Sequence, residues 1–227
     1  MKLKLLLLTV CVIVFSLANA TDYTSLTEAL KNPTAVKSLN LTAKGLTVLS
    51  ESIGKLTNLE RLNVSSNKLT VLPKALFTLK KLKYLNLTAN QLTAIPTGIG
   101  NLKNLQELEI GFNKISSLPK EVGALAKLAR FVASKNNLKT LPAEAAQWTK
   151  VEIIDFTYNP LTEIPAALCG MLSLKTADFS FDKELNGFPS DIKNLSRLRL
   201  LNLKNTKISA KQVDDLNWLI PDCQIML

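Results

Sequence analysis

Apolar and polar positions recur along the chain with a period of 23 residues. Asn67, Asn90, Asn113, Asn136 and Asn159 follow one another at that interval, a spacing characteristic of repeat arrays. Lys44 takes the same slot one period earlier and Asp182 one period later. A one-residue insertion near Lys183 and Glu184 then places Thr206 in the last slot. Ahead of each slot stand three apolar residues, as in Leu59/Leu62/Val64, Leu82/Leu85/Leu87, Leu105/Leu108/Ile110, Leu128/Phe131/Ala133 and Val151/Ile154/Phe156. Behind it come one more (Leu69, Leu92, Ile115, Leu138, Leu161) and then an apolar-proline pair such as Leu72-Pro73 or Ile164-Pro165. Past the proline the spacing turns helical, with pairs such as Ile99/Leu102 and Val122/Leu125. Each unit therefore predicts a short strand, a bend and a helical turn. Eight such units run from residue 36 to residue 208.

The motif LxxLxLxxNxLxxLPxxIGxLxxL, nearly complete in residues 59–81 (LERLNVSSNKLTVLPKALFTLKK), resembles the leucine-rich repeat family in its 23-residue bacterial form. With the segment TDYTSLTEALKNP ahead of the array, the chain also resembles the secreted leucine-rich repeat proteins of pathogenic spirochaetes, the leptospires. The resemblance implies an α/β solenoid. That is a right-handed curved horseshoe with a parallel sheet on its concave face, short helical or 3-10 turns on its convex face, and a partner protein bound on the concave sheet. Physically, one unit cannot bury its own leucines, whereas stacked units share a continuous core. Eight strands at about 4.8 Å each would span about 38 Å. The slot asparagine suits its place because an amide both donates and accepts, serving backbone groups that the bend leaves unpaired. Lys44, Asp182 and Thr206 depart from it in outer units, where ladder continuity is expected to matter least.

An open array exposes its core and a sheet edge, so covers are expected at both ends. Residues 21–35 read as an N-terminal helical cap, with Ser25-Leu26-Thr27-Glu28 as a capping box and Pro33 as the stop. Residues 209–227 read as a C-terminal cap. There a helix opens at Ser209, turns Val213, Leu216 and Leu219 inward and ends at Pro221, and 223–227 form a last edge strand. Residues 1–20 have basic Lys2 and Lys4, an apolar run from Leu5 to Leu17 and the small-residue site Ala18-Asn19-Ala20. This is the layout of a cleaved signal peptide, and it predicts export to the cell envelope or the medium with no membrane insertion afterwards.

Composition narrows the chemistry. Leucine supplies 44 of the 227 residues, and histidine is absent. Without histidine, Ser–His and Cys–His catalysis and the usual zinc sites are excluded. No glycine-rich phosphate loop is present. The expectation is a monomeric, non-enzymatic binding protein with no cofactor and no metal. Outside the signal segment only Cys169 and Cys223 remain. They can pair, but their places in different units favour two partly buried small hydrophobes.

The net charge of +10 hides a local reversal. Outward-facing strand positions hold Arg61, Tyr84, Glu107, Arg130 and Ile153 in one file, and Asn63, Asn86, Glu109, Val132, Asp155 and Asp178 in the other. The residue before each slot is small in the early units, then becomes Phe112, Lys135, Tyr158 and Phe181. Aromatic anchors bordered by charge are the marks of an interface. The candidate protein-binding residues are therefore Tyr84, Glu107, Glu109, Phe112, Arg130, Val132, Ile153, Asp155, Tyr158, Asp178 and Phe181. The competing expectation is that Phe112 and Phe181 fold down over the strand ends as packing. The run Lys80, Lys81, Lys83 reads as a solvated turn rather than a nucleic-acid or glycosaminoglycan patch. The sequons at Asn40, Asn63 and Asn86 fall on the same outward face and arise from the repeat itself. The alternative function is a glycan- or proteoglycan-binding adhesin, or a structural protein of the envelope.

Overall fold

The computed structural model describes residues 22–227; the signal-peptide reading lies outside them. Ten strands follow one another: β1 (Asp22–Tyr23), β2 (Ser38–Asn40), β3 (Arg61–Asn63), β4 (Tyr84–Asn86), β5 (Glu107–Glu109), β6 (Arg130–Val132), β7 (Ile153–Asp155), β8 (Thr176–Asp178), β9 (Leu200–Asn202) and β10 (Gln224–Met226). They form one parallel sheet in chain order. Strands β2 to β9 belong to the eight expected units, and β1 and β10 extend the sheet by one at each end. The register puts the central residues in one row, so that Leu62, Leu85, Leu108, Phe131 and Ile154 stack on each other inside the core.

Opposite the sheet run seven 3-10 turns, from Glu51–Lys55 to Ser190–Asn194. Six of them begin right after a proline whose φ, between −60° and −72°, is already near the value a helical first turn needs. The first unit has Ser50 instead, and its hydroxyl accepts from the Ser52 N–H at 3.1 Å. Most of these turns lie close together. A Cβ on Gly123 would sit 2.5 Å from the Glu144 carbonyl oxygen. Phe77 occupies the matching position in 74–78, and its ring fits only because the facing residue is Gly98, where a Cβ would come within 2.6 Å.

In the later units the core changes from leucine to aromatic. Phe131 meets Trp148 at 5.0 Å and Phe156 at 5.6 Å, and Phe156 stacks on Phe179 at 5.8 Å. Large and small residues alternate: Ala133 follows Phe131 by two positions and Ala177 precedes Phe179 by two, all fully buried, the pairing of sizes that close packing favours. The Trp148 indole N–H donates to the Val122 carbonyl at 2.7 Å, so no polar atom of this ring is left unpaired.

The slot asparagines tie unit to unit. Asn113 donates from its amide to the carbonyls of Leu87 and Ile110, both at 3.0 Å, and accepts from the Leu92 N–H at 3.0 Å. Asn90 and Asn136 repeat the arrangement one unit to either side.

Two expectations need correction. The helix α1 (Leu26–Ala29) is capped from one side only. Ser25 accepts from the Glu28 N–H, while Glu28 pairs with Lys31 at 2.8 Å rather than returning to Ser25. The full capping box is at the other end, between Ser209 and Gln212, opening α2 (Ala210–Leu219). The second correction concerns Asp182, which is not a tolerant outer position. It is wholly buried; one carboxylate oxygen accepts from the Asn159 N–H, and the other has no partner among the described residues. Burial pushes its pKa up to about 8, with Asp178 and Asp155 adding to the rise.

Two predictions follow from the ladder. Asn113→Ala strands two carbonyls and an N–H and should cost about 3 kcal/mol in urea unfolding. Asp182 has a pKa raised from 3.8 to about 8, so the folded state holds a proton that the unfolded chain releases. Its contribution to stability is therefore full below about pH 4 and is lost as the pH climbs to about 8. Asp182→Asn should flatten that decline when melting temperature is followed from pH 5 to pH 8.5.

Candidate functional site

Because the middle residue of each strand points into the core, its two neighbours point to the open face of the sheet. The register brings Tyr84, Glu107, Arg130 and Ile153 into one row and Asn86, Glu109, Val132, Asp155 and Asp178 into the next. All are half-buried by their neighbours across the strands. The eight candidates placed on strands thus lie on one continuous surface over β4 to β8.

The first half of this surface is knitted together. The Arg61 guanidinium lies 4.4 Å over the Tyr84 ring. Asn86 donates to the Tyr84 hydroxyl at 3.0 Å and to Glu109 at 2.7 Å, and Glu109 pairs with Arg130 at 3.6 Å. Glu107 differs: among the described residues it makes no side-chain hydrogen bond or ion pair. Burial, then the nearby Glu109 charge, pushes its pKa up, against the pull of Arg130 and Arg61. Burial and Glu109 likewise push the Tyr84 hydroxyl up.

Asp155 and Asp178 are not simply free negative charges. Each caps the backbone two residues on, accepting from the Thr157 and Ser180 N–H groups at 2.9 Å. Asp178 also accepts from Asn202 at 2.9 Å. Asn40, Asn63, Asn86 and Asn202 make the same turn. The sequence does carry a signal for it. Asn recurs two residues ahead of a Ser or Thr at 40, 63 and 86, a spacing that suits an Asx turn as well as a sequon. Glu109 and Val132 are the two places in β3 to β9 where this cap is given up.

The chain leaves each strand through a left-handed residue. Ala43, Ser66, Ala89, Phe112, Lys135, Tyr158, Phe181 and Asn205 all have φ between 51° and 65°. Only glycine and, less well, asparagine take this conformation cheaply. Units four to seven nevertheless place bulky side chains there, and they stay out of the core: Phe112 is 49%, Tyr158 44% and Phe181 37% exposed. They stack along the rim. Lys135 Nζ lies 4.6 Å from the Phe112 ring centre and 4.9 Å from that of Tyr158, and Tyr158 and Phe181 are parallel at 4.5 Å. Lys135, absent from the expected binding residues, is the link between the aromatics. The 23-residue spacing already set it between Phe112 and Tyr158, but the contact of its ammonium with both rings depends on distances that spacing does not give.

Elsewhere the chain offers less chemistry. Cys169 and Cys223 are free thiols. Among the described residues no three acidic or cysteine side chains are gathered closely enough to hold a metal ion. In the basic run, Lys81 is bonded to Asn58 and Lys83 is paired with Glu60. No described helix is long and apolar enough to cross a membrane.

A family model described as a leucine-rich repeat region matches residues 3–114. No curated protein matches the chain at a significant level. Among solved structures it is similar to a leucine-rich repeat protein of Leptospira interrogans, with 20% identity over 92% of this chain and 100% of the other, at a TM-score of 0.50. It is also similar to the leucine-rich repeat domain of the type III effector XopL, at 20% identity, 88% and 79% coverage and a TM-score of 0.69. A third likeness is to the plant peptide hormone receptor RGFR1, solved in complex with RGF2. There the identity is 26% and the TM-score 0.63, over 91% of this chain but 37% of the receptor's.

If the rim aromatics are held for contact rather than for stability, Phe112→Asn should change unfolding free energy by less than about 1 kcal/mol. The left-handed strain it relieves and the ring contact it removes are of similar size. A loss of about 3 kcal/mol, measured by urea denaturation, would instead mark the ring as packing.

Proposed function

We propose that this chain, a leucine-rich repeat protein by sequence and by fold, is an exported, non-enzymatic module that binds a partner protein across the open face of β4 to β8. The carrying observation is the rim. Three bulky aromatics occupy left-handed positions that disfavour them and remain a third to a half exposed. Strain held at an exposed, ordered position is a mark of function, and aromatic side chains dominate interface energetics. Beside them Val132 and Ile153 are apolar on an outward face, and Glu107 and Asp155 supply polar specificity. The plant peptide hormone receptor RGFR1, similar in fold, is solved in complex with RGF2, which supports a polypeptide as the ligand. The leptospiral likeness makes a host surface or matrix protein the first partner class to test.

The adhesin alternative, a glycan or proteoglycan held by basic side chains, has less support, since Lys81 and Lys83 already have partners. Salt separates the two: polyanion binding should collapse between 50 and 500 mM sodium chloride, whereas an aromatic-centred interface should hold.

The direct test is the double variant Ile153→Ser, Tyr158→Ser, titrated against immobilised matrix proteins by surface plasmon resonance. Affinity should fall by about tenfold or more, with the melting temperature lowered by only a few degrees. A large drop in melting temperature with binding intact would overturn the reading.

A further inference from the structure

The protein-binding reading leaves the partner's chemistry open, and the open face narrows it. Over β5 to β8 this face carries Glu107, Glu109, Asp155 and Asp178 against one base, Arg130, on a chain whose net charge is +10. Most of these charges are already engaged. Glu109 holds Arg130 and Asn86, and one oxygen each of Asp155 and Asp178 caps the backbone. Glu107 alone stands half-buried with no hydrogen bond or ion pair among the described residues, its neighbour Arg130 being turned to Glu109. A half-buried carboxylate without a partner is costly, and a cation from outside offsets that cost.

Two strands further on in the same row is Ile153, with Arg130 between them in register. Val132 stands diagonally to it, on the preceding strand and in the next row. Two strand spacings are about 9.6 Å. A polyproline-II chain repeats its face every three residues, which is about 9.3 Å. A fully extended strand does not match, because residues three apart point to opposite sides. Exposed aromatic side chains, here Tyr158 and Phe181, are also the common lining for polyproline-II ligands.

Resting on the protein-binding reading, we propose that this face docks a polyproline-II segment of the partner. Such a segment carries a lysine or arginine over Glu107 and, three residues on, an apolar side chain over Val132 and Ile153. The cation completes Glu107, and the apolar residue covers the only outward aliphatic pair on these strands.

The probe is a fluorescein-labelled oligoproline peptide bearing one arginine and, three residues later, one leucine. It is titrated into the full chain by fluorescence anisotropy. Saturable binding is expected, weakened about tenfold by Glu107→Gln, by Ile153→Ser and by moving the leucine one residue along. In thermal melts Glu107→Gln should be at least as stable as the parent, since it removes an unpartnered half-buried charge, and Ile153→Ser should lie within a few degrees of it, so that any loss of binding belongs to the interface. No saturable binding, or binding indifferent to the leucine position and to Glu107→Gln, overturns the proposal. A random peptide library selected on the parent and on the Ile153→Ser, Tyr158→Ser variant separates the two levels. Peptides lost on the variant but lacking the spaced pair overturn this proposal and leave the protein-binding reading standing. Peptides selected equally on both, or no selection at all, overturn both.

Discussion

The structure depends on a buried amide that belongs to two repeats at once. Each 23-residue unit must reverse direction after its strand, and the reversal leaves carbonyls and N–H groups pointing into the core with no strand to pair with. The slot asparagine satisfies them by donating to its own unit and the preceding one while accepting from a backbone N–H of that preceding unit, as Asn90, Asn113 and Asn136 do. Leucine burial supplies most of the favourable free energy, but it is non-directional and would tolerate many arrangements of the units. The amide ladder is directional. It holds every unit in the same register as the last and so keeps the strands parallel and in line.

That regularity gives the site its geometry. Since each unit repeats its neighbour's backbone, side chains at equal positions line up in rows, and any departure from the consensus changes one spot on an otherwise uniform face. Glu109 and Val132 give up the strand-end cap that their counterparts make. Phe112, Lys135, Tyr158 and Phe181 take a left-handed position that suits small residues. These departures cluster in units four to seven, where the core also changes from leucine to Phe131, Trp148, Phe156 and Phe179. The scaffold tolerates the rim strain because the backbone on both sides is held by the ladder.

Much of this was legible in the chain itself. The eight units, the proline-started turns, the terminal helices and the last strand follow from spacing, because a strand needs alternation, a helical turn needs apolar residues three or four apart, and both were present in register. The two misjudged features were Ser25 with Glu28 and Asp182. In each case the residue type was right for its slot and the error lay in the partner. Glu28 had a nearby lysine to choose instead. Asp182 has the shape of asparagine without its donor, and only the buried surroundings turn that into an orphaned oxygen and a raised pKa.

The sequence by itself determined the repeat and which strand residues face outward, since these depend on local period and on the number of apolar residues a unit must bury. Tertiary structure decided the rest. Stacking brought Lys135 between two rings, set Tyr158 parallel to Phe181, engaged Glu109 with Arg130 and left Glu107 without a partner. Those relations join residues 23 or more positions apart, and their strength depends on distance and burial, quantities that exist only once the units are stacked.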